Sequence, residues 1–132
     1  MTSHARGTLT HESWEEHPVR EWDGGGRIAR AVVTWRCHGD IEGVWTQVTL
    51  TAHPDERSSS FCGLDHVEGR LGGRSGGFVL RAAGEWDGES VRGTWSVVPG
   101  SGTGELAGLR GEGTFTALDP TTMAYTLDYD LT

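Results

Sequence analysis

The stretch SSSFCGLDHVEGRLGGRSGGFVLRAAGEW, residues 58–86, runs on through DGESVRGTWSVV, residues 87–98. Apolar and polar side chains alternate along it with period two, and Gly-rich breaks interrupt it twice, so it reads as three antiparallel strands joined by tight hairpins. A turn at Gly73-Arg74 sets Phe61, Gly63, Asp65, Val67 and Gly69 opposite Trp86, Gly84, Ala82, Leu80 and Phe78. A turn at Gly88-Glu89 sets that second row against Val91, Gly93, Trp95 and Val97. Every residue on this shared face is apolar or Gly except Asp65. A lone carboxylate on such a face needs a partner or carries a shifted pKa, and either outcome points towards a site.

The same alternation extends in both directions. Strands are expected at Ala5–Trp14 (with Val19–Trp22 as a short continuation), Ile28–His38, Val44–His53, Ser59–Leu71, Ser75–Trp86, Ser90–Val98, Gly111–Leu118 and Met123–Leu131. The connections DGGGR, CHGDIEG, HPDERS, LGGRSG, WDGES and ALDPTT are turn chemistry, and no amphipathic helical stripe interrupts them. The expected fold is all-β: one domain over residues 1–132, an eight-stranded antiparallel up-and-down β-barrel, since closure leaves no sheet edge exposed. Pro99–Gly111 breaks the pattern with a Gly-rich segment and one short helical turn at Glu105–Leu109. It is expected to cross or plug one barrel mouth.

Composition narrows the function classes. The chain of 132 residues holds 21 glycines and six tryptophans, lacks Lys and Asn, and has a formal charge of −8. An acidic surface without Lys- or Arg-rich runs argues against nucleic acid and anionic membrane as partners. The first residues contain no apolar run of signal-peptide character, and no run has transmembrane length, so a cytoplasmic location is expected. Cys37 and Cys62 then read as free thiols, Cys62 lying on the face opposite Phe61. The six histidines do not pair at metal-ligand spacing, so no metal or other cofactor is expected. Gly102-Thr103-Gly104-Glu105-Leu106-Ala107 matches G-x-G-x-x-A in form, but it precedes β structure and not a crossover helix, which removes the nucleotide reading.

The candidate site residues follow from the inward face. Asp65 is the candidate acid or base. Its bland alternative is a structural pairing with Arg81 or Arg110. Tyr125 and Tyr129 alternate with polar residues and are expected inside, where a Tyr could pair with Asp65 for proton transfer. Trp35, Cys37, Phe61, Phe78, Leu80, Trp86, Trp95 and Phe115 are expected to line a cavity for an apolar small molecule, or else to fill the barrel solid. A turn at Asp40-Ile41 pairs Cys37 with Val44, Trp35 with Thr46 and Val33 with Val48. That register puts Val44 and Val48 inside and Trp45 outside, where an exposed indole marks either a candidate homodimer contact or a ring lying on a solvated sheet.

Four blocks together carry a resemblance: HGDIEG at 38–43, GLDHVEGRLGGRSGGFVL at 63–80, GTWSVVPGSGTGELAGLRGEG at 93–113 and YTLDYDL at 125–131. The chain resembles the bacterial family known as domain of unknown function 3224 along nearly its whole length. The resemblance implies an eight-stranded barrel similar to that of allene oxide cyclase. By fold-level analogy it suggests a cofactor-free cyclase or isomerase acting on an apolar polyketide- or lipid-like substrate, with a non-catalytic binding or scaffold protein as the competing reading.

Overall fold

The computed structural model describes residues 2–119 and 121–131. Eight strands form a closed antiparallel barrel in sequence order: β1 (Ser3–Glu21), β2 (Arg27–Gly39), β3 (Ile41–His53), β4 (Ser59–Leu71), β5 (Arg74–Trp86), β6 (Val91–Val97), β7 (Arg110–Asp119) and β8 (Thr122–Asp130). The expected strands are all present. The short continuation expected at Val19–Trp22 joins the first strand without a break as far as Glu21, and β1 runs on through register irregularities between His11 and Ser13 and between Pro18 and Arg20. Only the first half of β1 pairs with β8. The His11 N–H still donates to the Thr121 carbonyl at 3.0 Å; beyond it the β1 backbone ladders with β2 alone and overhangs one end of the barrel. Pro120, in the turn expected at ALDPTT, lies outside the described residues. Among the described residues no helix is long and apolar enough to cross a membrane.

Three hairpin registers decide which side chains face inward. At β5–β6 the expected register holds, with Trp86 opposite Val91 and Ala82 opposite Trp95. At β4–β5 the turn falls on Gly72-Gly73 and not on Gly73-Arg74. Both glycines have positive φ, +58° and +84°, as a two-residue hairpin turn requires. The pairing therefore shifts by two, to Phe61 with Gly84 and Asp65 with Leu80, and an even shift leaves every side chain on its expected face.

The β2–β3 connection corrects the third expectation. Gly39, at φ +100°, makes the turn one residue tighter, so Trp35 pairs with Trp45 and Cys37 with Gly43. A one-residue slip turns a whole strand over. Trp45 is 1 % exposed and internal, whereas Val44 and Val48 face outward, 36 % and 45 % exposed. The indole expected as a subunit contact is part of the core.

The inward rows build a core concentrated at one end. Ile41, Val67, Leu71, Phe78, Leu80, Tyr125 and Leu127 are all buried there. The expected plug is present. Its helical turn is a short 3₁₀ turn, Gly104–Leu106, and Leu106 and Leu109 are both buried under the barrel end. The plug also replaces a missing strand. β6 meets β5 only from Leu80 onward, so the first half of β5 has no neighbour on that side. The loop supplies the absent bonds: the Val98 N–H donates to the Val79 carbonyl, the Thr103 N–H to the Gly77 carbonyl, and Thr103 Oγ1 and Ser101 Oγ accept from the Gly77 and Val79 N–H groups. Buried backbone groups left unpaired would each cost as much as a lost hydrogen bond.

Candidate functional site

The opposite end of the barrel is open. A cavity of about 520 Å³ enters there, within the roughly 300–1,000 Å³ typical of small-molecule sites. Its walls include Trp35, Phe61, Trp86, Trp95 and Phe115, five of the expected ligand-contacting residues. Cys37, Phe78 and Leu80 do not line it. They are buried in the packed end. The division follows from strand geometry. Inward positions run the full length of each strand, and the plug with its leucines fills only the end where β5 begins.

The aromatic rings form a connected wall. Trp45 and Trp95 lie with centroids 4.5 Å apart, Trp95 stacks on Phe115 at 4.8 Å, and Phe115 meets Phe61 at 6.0 Å. Two glycines make room for the phenyl rings. A Cβ on Gly84 would come within 2.6 Å of the Phe61 ring, and one on Gly93 would collide with the Phe115 ring. Three of the lining indoles have their N–H groups committed: Trp35 donates to Gln47 Oε1 at 2.9 Å, Trp45 to Asp65 Oδ2 at 3.0 Å and Trp95 to the Thr126 carbonyl at 3.0 Å. What these rings leave to a ligand is apolar surface and π-face.

Asp65 lies on β4 at the inner limit of this cavity, 4 % exposed, with Gln47 as its cross-strand neighbour. Neither Arg81 nor Arg110 is its partner; Trp45 is. Oδ2 accepts the Trp45 indole N–H, while Oδ1 is buried with no partner in hydrogen-bonding geometry. Burial pushes the Asp65 pKa up to about 6, and the Trp45 indole and the Val48 backbone oppose that rise.

The tyrosines are placed elsewhere. Tyr125 is buried in the packed end, where its hydroxyl accepts from the Ile41 N–H at 2.9 Å and donates to the His38 carbonyl at 2.9 Å. Burial pushes its phenol up to about 12. Tyr129 is half-buried at the same end, its hydroxyl beside Gly72. The expected Asp–Tyr pair does not form, because both phenols face the closed end while Asp65 faces the open one.

Sequence reasoning missed the polar side of the cavity. Gln47, Thr49, Thr51 and His53 line it from β3, together with Ser59, and acids stand at its mouth: Glu16, Glu89 and Asp119. The register expected from the sequence turns these β3 residues outward, and the one-residue slip brings them in. A local cue is Gly39, whose φ of +100° tightens the turn, but it does not fix the register by itself.

A family profile described as "Protein of unknown function (DUF3224)" matches residues 5–129. The chain belongs to the DUF3224 family. A crystal structure of a DUF3224 protein of unknown function from Shewanella oneidensis MR-1 is similar over 100 % of this chain and 98 % of its own, with a TM-score of 0.79 and 26 % identity. No curated protein matches. DUF3224 membership thus accords with the barrel and assigns no chemistry to it.

Proposed function

We propose that this DUF3224 barrel binds a small, largely apolar molecule in its open half, against the wall formed by Trp35, Trp45, Trp95, Phe61 and Phe115. One observation carries the reading: the apolar core stops halfway, leaving about 520 Å³ open beneath a ring-lined mouth while the other end is stoppered by Leu106 and Leu109. A barrel built only as a scaffold has no use for that asymmetry, since packing both ends would bury more apolar surface.

The test is titration with prodan, a neutral naphthalene dye whose emission rises in apolar surroundings. Saturable binding of one dye per chain, with quenching of the tryptophan emission, is expected. Ala82→Phe, which fills the cavity from β5, abolishes both. Binding that never saturates, or that survives Ala82→Phe, rejects the cavity as the site.

Asp65 favours a second reading of the same site, a cofactor-free isomerase or cyclase. A carboxyl titrating near pH 6 at an apolar wall can accept and return a proton close to neutrality. The walls would hold the reacting ends of the substrate together, and the indole faces would stabilise a developing cation. Tyr125, committed to backbone groups, takes no part in this version. Turnover lost in Asp65→Asn with binding retained supports it, and unchanged turnover removes Asp65 from the chemistry.

A further inference from the structure

The chemical class of the ligand can be narrowed from the polar groups that border the cavity, an inference that rests on the proposed binding function. Four lining side chains are carboxylic acids: Asp65 at the inner limit and Glu16, Glu89 and Asp119 at the mouth. Among the described residues no arginine lines it, although the chain has 11. The one basic lining group, His53, is already paired, its Nε2 lying 3.3 Å from Glu16 Oε1. The Asp119 carboxyl is held ionised by the Thr121 backbone N–H and hydroxyl. The unpaired ionisable groups bordering the cavity are therefore all acids.

A mouth of acids is no site by itself. The second observation lies deeper. Asp65 Oδ1 is buried with no partner in hydrogen-bonding geometry, and the Val48 backbone favours the ionised carboxyl only in part, so the fold leaves this acceptor under-satisfied at the cavity wall. An unpaired buried acceptor is costly, and a ligand that donates to it removes that cost. The three indoles beside it have spent their N–H groups on other acceptors and offer rings, which attract cations and not anions. A carboxylate or phosphate ligand would meet like charge and, among the lining side chains, only neutral donors such as the Gln47 amide and the Thr49 hydroxyl beside the paired His53.

We propose that the barrel's ligand is a protonated amine carried on an apolar ring system, its ammonium group paired with Asp65 among Trp35, Trp45 and Trp95 and its body against Phe61 and Phe115. The acids at the mouth draw the cation in, and the aromatic wall selects for the apolar body. Gln47 and Thr49, on the polar side, have room to hydrogen-bond a second substituent.

Three probes sharing one body decide it by calorimetry at neutral pH: biphenyl-4-methylamine, biphenyl-4-methanol and biphenyl-4-carboxylate. The amine is expected to bind the wild-type protein about tenfold or more tighter than the alcohol, with the carboxylate weakest. Asp65→Asn keeps the alcohol and brings the amine down to it. Equal affinity for amine and alcohol in the wild type overturns the cation assignment while leaving apolar binding intact, as does a preference for the carboxylate. An amine preference that persists in Asp65→Asn overturns the role of Asp65. If none of the three binds and prodan does not bind either, the cavity reading itself has failed. The wild-type ranking needs no variant, so it decides the cation assignment even if Asp65→Asn misfolds.

Discussion

Asp65 is an expensive residue to keep. Its folded pKa of about 6 lies above the ordinary 3.8, so the folded state holds a proton that the unfolded chain has already released. Stability contributed by the protonated form is fully present below about pH 4, is lost as pH rises towards 6, and is flat beyond. The total is about 3 kcal/mol. Asp65→Asn, of the same shape and uncharged, is therefore expected to raise stability at pH 7 by up to that amount and to give little at pH 4. Urea denaturation at the two pH values checks it, and a destabilised variant at pH 7 would mean that Asp65 is fully satisfied in the fold. The two cysteines offer a simpler contrast. Cys37 is buried, with its thiol pushed up to about 12 by desolvation, while Cys62 is exposed. A thiol reagent should label one site per native chain, at Cys62, and a second only after unfolding. Alternation supports their assignment as free thiols, because Cys62 and Phe61 are sequence neighbours and neighbours on a strand face opposite ways.

Among the elements, the plug and β3 show where local reading succeeds and where it stops. The break in alternation at Pro99–Gly111 marks the plug. Its bonding to β5 is not legible, since that depends on β6 being too short to cover β5. Leu106→Ala should cost roughly 2–5 kcal/mol while leaving prodan binding unchanged, because Leu106 packs at the closed end. Parallel melting and dye titration separate the two effects, and lost binding at retained fold would show that the ends are coupled. At the open end, Gly93→Ala forces the Phe115 ring out of its place. The expected result is weaker dye binding together with a lower Tm. β3 misleads for a physical reason. Its outward row holds Val44, Val48 and Leu50, and its inward row holds Gln47, Thr49 and Thr51 between Trp45 and His53. Hydropathy favours the wrong face because part of the inner face serves a polar-lined cavity and not a packed core.

For the molecule as a whole, closure ties every strand to two neighbours, and β1–β8 is the seam. Deleting β8 frees the edges of β1 and β7 at once. Such a chain is expected to elute as aggregate in size-exclusion chromatography, since unpaired strand edges recruit one another. A monomeric truncated barrel would show that the other seven strands close without it. The long strands, the Gly-rich hairpins and the acidic balance are all legible in the sequence, and they suffice for an eight-stranded barrel with Asp65 inside. Alternation is a local property of the chain and survives any register shift by an even number of residues, as at β4–β5. Tertiary structure alone decided the rest: that Trp45 faces in and holds Asp65, that Tyr125 and Tyr129 lie at the closed end, and that the core stops halfway. Those outcomes depend on single-residue register at Gly39 and on which barrel end the plug occupies, and both are settled by packing between segments far apart in the chain.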